Sequence, residues 1–131
     1  MRSIHVSQVI AAAPQAVYDF VADPDNLPSW AAGLARSEAT RDGDALVVAS
    51  PMGEVRVTFV SHNDLGILDH RVQLPSGEVV DNPVRVIDHP EGAEIIFTIR
   101  QLGLSDEEFT RDAAAVSADL DTLKSILEGS S

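Results

Sequence analysis

No cysteine occurs among the 131 residues, which excludes disulfides, thiolate metal sites and cysteine nucleophiles. Long apolar runs are missing too. No stretch approaches the ~20 residues that a membrane-spanning helix needs, so no membrane insertion is expected. Basic residues are scarce: nine Lys and Arg stand against 21 Asp and Glu, for a formal charge of −12. A surface of that sign repels phosphate backbones, which makes nucleic acid a poor partner. Its plainest consequence is solubility. The opening Met-Arg-Ser-Ile-His-Val alternates and lacks the apolar stretch of a signal peptide, so a cytoplasmic location is expected.

What is present fits one domain over residues 1–131 with a single core. Residues 3 to 10 can form a strand. Pro14 suits a first helical turn, and Val17, Phe20 and Val21 give the i, i+3, i+4 apolar spacing of a helix. Asp23-Pro24 ends that helix, because the residue before proline is pushed out of helical dihedrals. Asp25 or Asn26 can cap a second short helix, with Pro28 in its opening turn. Leu27, Trp30, Ala31 and Leu34 then share one face.

From residue 35 to 102 the period becomes two. Turn chemistry at 41–44, 51–53, 63–66, 75–77 and 89–92 divides this region into six strands joined as antiparallel hairpins. Ser105 and Glu108 form a capping box that opens a helix to about Glu128, roughly 35 Å long. Phe109, Ala113, Val116, Leu120, Leu123 and Leu127 make its single apolar stripe, and the partner of that stripe must be the sheet. About seven strands are too many for one helix to cover unless the sheet curls around it. The expected fold is therefore α+β: a curved antiparallel sheet of about seven strands around a long C-terminal helix. Two short helices after the first strand would close one end, leaving a cavity between sheet and helix.

The stretches "AAPQAVYDFVADPDNLPSWAAG", "DNPVRVI" with "AEIIFTIRQ", and "LSDEEFTRDAAAVSADLDTLKSILE" carry a resemblance to a known family. In this order they resemble the helix-grip fold of the START-like superfamily, also called SRPBCC, which includes polyketide cyclase/dehydrase and lipid-transport proteins. The resemblance spans essentially the whole chain. It implies a central cavity for a hydrophobic small molecule; some members are cyclases, dehydratases or hydrolases, and others are carriers or chaperone-associated domains. Fold alone does not choose among these.

Hairpin register shows which side chains point into such a cavity. If residues 63–66 make a four-residue loop, His62 pairs with Ile67. Val55, Val57, Phe59 and Ser61 then share a face with Leu68, His70, Val72 and Leu74. Leu46, Val48 and Ser50 also face inward. In the last hairpin Val80, Asn82, Val84 and Val86 share the inner face with Ile95, Phe97, Ile99 and Gln101. The outer face carries Arg36, Glu38, Arg56, Arg71, Arg85 and Arg100 among acids, with Asp81 beside Arg100 and Arg85 near Glu94. That is the pattern of a solvated sheet face with cross-strand ion pairs.

The inward polar set is Ser61, His70, Asn82 and Gln101, with His70 opposite or diagonal to Asn82. These groups either satisfy one another or serve a ligand, since an unpartnered buried polar group costs roughly 1–3 kcal/mol. General acid/base chemistry at His70 is the third option, but no inward strand position carries Asp or Glu to orient it. Asp69 points to the opposite face, and Asp19, Asp23 and Asp25 serve most simply as helix-end charges. Neither a metal-ligand spacing, a calcium loop, a glycine-rich phosphate loop nor a serine elbow is present, so no metal or cofactor is expected.

The first expectation is thus binding of a hydrophobic or amphipathic small molecule, with Tyr18, Trp30, Phe59, His70, Asn82, Phe97 and Gln101 as the ligand-binding candidates. Trp30 either packs the helical plug or rims the cavity. A cyclase or dehydratase using His70 and Asn82 is the alternative, and a non-catalytic domain docking on a protein partner is a third. A monomer or homodimer is compatible with each.

Overall fold

Alternating side chains produce β1 (Ser3–Ile10), after which Pro14 opens α1 (Pro14–Ala22), with Val17, Tyr18 and Val21 buried. The computed structural model describes residues 1–31, 38–43, 45–50 and 53–129. Asp23 leaves the helix in an extended conformation, and its carboxylate accepts the backbone N–H of Asp25 at 3.0 Å. That cap starts a 3-10 turn over Pro24–Asn26, which runs directly into α2 (Leu27–Trp30). The capping group is therefore Asp23 rather than Asp25 or Asn26; the Asn26 amide donates instead to the carbonyl of Phe20. Leu34, Arg36, Asp44 and the turn residues Pro51 and Met52 lie outside the described residues, as do the side chains of Glu38 and Ser50.

Seven strands follow: β2 (Glu38–Asp42), β3 (Ala45–Ser50), β4 (Gly53–Phe59), β5 (His70–Gln73), β6 (Val79–Asn82), β7 (Val84–His89) and β8 (Gly92–Arg100). They form two antiparallel sheets, β1-β8-β7 and β2-β3-β4-β5-β6. The eighth strand comes from Pro83, which divides what reads as one run over residues 79–89. Proline has no N–H to donate to a ladder. Upstream of it β6 stays with β5; downstream β7 pairs with β8, Val84 opposite Phe97. The two sheets part at that point.

Asp69 repairs the break on the other side. Its carboxylate accepts the Val84 N–H at 2.9 Å and also takes Arg85 in a two-pronged contact at 3.1 and 2.9 Å. Leu68 N–H donates to the Val84 carbonyl, and Val86 N–H to that of Gly66. Ile67 bridges to Arg85 in the same register that sets His70 opposite Asn82. Gly66 has φ of +72°, and a Cβ there would collide with the Val86 carbonyl. Only glycine lets the chain approach that closely.

The β4–β5 connection is longer than a four-residue loop. Strand pairing ends at Phe59 opposite His70, with one further hydrogen bond from Val60 N–H to the Asp69 carbonyl in the expected register, and residues 61–68 leave the ladder. Ser61 consequently is exposed rather than inward.

The capping box at Ser105 and Glu108 is formed in both directions, at 3.1 and 2.9 Å, and opens α3 (Asp106–Leu127). Phe109, Leu120 and Leu123 are fully buried along its stripe. Its far end is fixed to β1: Gln8 donates to Asp121, Lys124 to the Val9 carbonyl, and Ala11 N–H to Glu128. The Lys124 ammonium, followed by the Ala11 N–H, holds the Glu128 carboxyl below its usual range. One core cluster joins both sheets, α1, α2 and α3. No helix of the described residues is long and apolar enough to cross a membrane.

Candidate functional site

The parting of the sheets at Pro83 opens a wedge between β6 and the end of β8. Helix α3 lies across it. The result is a cleft of about 600 Å³, walled by Val72 and Leu74 of the β5 arm, Val80 and Asn82 of β6, Phe97, Ile99 and Arg100 of β8, and Asp112, Ala115 and Val116 of α3. The segment Leu102–Leu104 forms its rim. Most of the wall is apolar, and the polar groups are few: Glu78, Asn82, Arg100 and Asp112.

Glu78 supplies a carboxylate to the cleft from just outside β6, exposed and not from a strand position. It directly precedes β6 and shares the parity of Val80 and Asn82, so it continues the inner face past the strand end. Asp112 comes from α3, which the strand parity alone does not reach.

Behind this cleft sits a polar-aromatic cluster. His70 Nε2 lies 3.4 Å from Asn82 Nδ2, and His70 Nδ1 lies 3.4 Å from the Leu68 carbonyl. The His70 ring stands 5.0 Å from Phe59 and 5.6 Å, edge-on, from Phe97. A carbonyl only accepts, so Nδ1 carries the proton and Nε2 receives the Asn82 amide. One neutral tautomer satisfies both contacts. Burial lowers the His70 pKa from its ordinary value, against smaller opposing effects of the Leu68 carbonyl and the Asp69 carboxylate. Asn82 also borders a second cleft, of about 510 Å³, shared with Phe59, His70 and Pro83.

Of the seven candidate ligand-binding residues, four therefore meet: Phe59, His70, Asn82 and Phe97. The other three lie apart from the large cleft. Tyr18 is buried in α1, with its hydroxyl accepting the Asn63 N–H at 2.8 Å and its ring edge-on to His62 at 4.9 Å. Trp30 is only 5% exposed and packs in the core; its indole N–H finds no hydrogen-bond partner among the described residues. Gln101 donates to the Leu104 carbonyl at 3.0 Å and to Asp106 at 2.8 Å, tying the rim segment to the start of α3.

Leu102 stands out in that rim. Its φ is +53°, a left-handed conformation that is uncommon outside glycine, and its side chain is 43% exposed. The Gln101 contacts on either side of it, including Leu104 N–H to the Gln101 carbonyl, hold it there.

The remaining charges are arranged differently from the register expectation. Asp81 pairs with Arg71 at 2.9 Å, its partner across β5 and β6, and not with Arg100. Arg85 pairs with Asp69 and not with Glu94. The first change follows from the break at Pro83, which removes β6 from β8; in the second, Asp69 reaches Arg85 from the segment that bridges to it at Ile67. Asp23 and Asp25 face Arg41, and Asp19 approaches His62 at 3.9 Å, so these acids serve helix ends and surface pairs. Among the described residues no group of three or more His, Asp or Glu is placed to hold a metal ion.

Comparison with known proteins agrees with this architecture. The model of a family described as polyketide cyclase / dehydrase and lipid transport matches residues 1–128. The chain belongs to that family. No curated protein matches it in sequence. The polyketide cyclase/dehydrase fold recurs in the Aha1 dimer from Colwellia psychrerythraea, at a TM-score of 0.76 and 15% identity over 98% of each chain. Protein CV1439 from Chromobacterium violaceum gives 0.72 and 15%, covering 98% of this chain and 99% of that one. XoxI from Bacillus cereus gives 0.72 and 18%, covering 98% and 97%. At such identities the likeness is one of fold.

Proposed function

We propose that this protein binds a hydrophobic or amphipathic small molecule in the cleft between β5, β6, β8 and α3. One observation carries the reading: an apolar-walled cleft of about 600 Å³ stands open where Pro83 parts the sheets. Its size is that of pockets which enclose small ligands. Val72, Leu74, Val80, Phe97, Ile99 and Val116 would supply affinity, at ~25 cal/mol per Å² buried. Asn82, with an amide already oriented by His70, would supply direction at the inner end.

The family description supports this, since it names lipid transport beside cyclase and dehydrase activity. A cyclase or dehydratase would need His70 to exchange protons with substrate, yet both of its ring nitrogens face protein groups. Binding without turnover is therefore the reading adopted. The proposal keeps the cytoplasm as its setting and a monomer or homodimer as its assembly.

Native mass spectrometry of protein purified from its own host tests the reading. A retained adduct of small-molecule mass, released on denaturation, is expected. Bare protein, together with no saturable uptake of the neutral probe N-phenyl-1-naphthylamine, would overturn it.

A further inference from the structure

Asn82 uses only half of its side chain. Its Nδ2 faces His70 Nε2 at 3.4 Å, and among the described residues the carboxamide makes no other hydrogen bond. The neighbour forces that orientation. With Nδ1–H turned to the Leu68 carbonyl, His70 offers Asn82 a lone pair and must be met by an N–H. The amide oxygen is left as an acceptor without a donor. It is not sealed in either: among the described residues the one fully buried, unpartnered side-chain polar atom is the Trp30 indole nitrogen. Asn82 borders both clefts, whereas His70 lines the smaller and not the larger. Because the two ends of a carboxamide diverge, the nitrogen on His70 turns the oxygen toward the larger cleft, on the inner face that Asn82 shares with Val80.

We propose that this oxygen makes the cleft selective for an apolar molecule bearing a hydroxyl group, whose O–H donates to Asn82 Oδ1 while its hydrocarbon lies on the apolar wall. This deepens the ligand-binding reading above and rests on it. An open acceptor rewards a group that gives a proton. It leaves a carbonyl, ether or carboxylate oxygen facing another oxygen, with both unsatisfied. A hydroxyl brings one proton to the one oxygen. An ammonium brings three, and on the inner face beside Asn82 it would meet the neutral His70 and Phe97 in place of a counter-charge.

Displacement of bound N-phenyl-1-naphthylamine by 1-decanol and by its isomer 1-methoxynonane, an ether without an O–H, tests the assignment at neutral pH. Decanol is expected to displace the probe at about one-fifth the concentration that the ether needs, the effect of one net hydrogen bond. Asn82→Leu should erase that difference. Asn82→Asp, which keeps an open acceptor oxygen, should retain it, with circular dichroism checking the fold of both. Equal potency of alcohol and ether, an alcohol preference that survives Asn82→Leu, or one that is lost in folded Asn82→Asp would each overturn the hydroxyl assignment while leaving the binding reading intact. So would decylammonium, if it displaced the probe at lower concentration than decanol and did so equally from Asn82→Leu. Failure of the probe to bind the wild-type protein would overturn both.

Discussion

His70 and Asn82 face each other across β5 and β6, with Nε2 and Nδ2 3.4 Å apart at a paired register position. Because Nδ1 faces the Leu68 carbonyl, the pair is satisfied only while the imidazole is neutral. Protonation would set a new N–H against the Asn82 amide hydrogens and would charge a ring held between Phe59 and Phe97.

The pH dependence of stability follows from this pair. The folded His70 pKa is lowered, chiefly by burial, from the ordinary 6.5. The unfolded chain therefore takes up the proton first, and acidification through that value favours unfolding. Urea unfolding is expected to show stability falling as the pH drops below about 7, less steeply in His70→Gln. The caps on Glu108 and Glu128, whose pKa values are lowered from 4.5, lose their contribution only at lower pH. Parallel curves for wild type and His70→Gln would contradict the tautomer assigned above.

Asp69 and Asp81 make similar ion pairs with different consequences. Asp81 meets Arg71 on an exposed face, where removing a pair costs less than about 1 kcal/mol. Asp69 also carries the Val84 N–H left over at the proline break. Asp69→Ala is expected to cost about 1–3 kcal/mol, the penalty of an unpartnered backbone donor. Asp69→Asn, which keeps an acceptor, should recover part of it. Equal costs for Asp69→Ala and Asp81→Ala in chemical denaturation would contradict this role.

Leu102 holds a left-handed backbone and an exposed apolar side chain at the cleft rim. Left-handed geometry costs a non-glycine residue roughly 1–2 kcal/mol. Leu102→Gly should therefore leave thermal stability unchanged or raised, while weakening probe binding through loss of rim contact. A clear fall in melting temperature would show that the leucine serves packing alone.

Much of this arrangement is written in the sequence. The stripe from Phe109 to Leu127 alternates steps of three and four that only a helix aligns, and Ser105 with Glu108 marks its start. The parity of the 75–77 turn brings His70 to Asn82, and turn spacing sets the β4–β5 register. The break at Pro83 was harder to read, because Asn82 and Val84 keep the same parity across it. An Asn-Pro pair inside a strand run is nevertheless the signal for an edge or an interruption. Missing it assigned Asp81 to Arg100 and hid the wedge where the cleft lies. Glu78 was overlooked because it sits just outside the strand, and Asp112 because helix and strand positions meet only in three dimensions. The fate of Tyr18 rested on one hydrogen bond from the distant Asn63 N–H, and that of Gln101 on its bonds to Leu104 and Asp106, none of which periodicity encodes.

The central claim is that the wedge opened at Pro83 takes up a small apolar molecule. Val116 lies on its helical wall, so Val116→Trp should fill the space without disturbing the strands. The direct measurement is a fluorescence titration with N-phenyl-1-naphthylamine, comparing this variant with the wild-type protein at equal helicity. Saturable binding to the wild type that is lost in Val116→Trp is the predicted result. Binding unchanged by the substitution, or absent from the wild type, would contradict it.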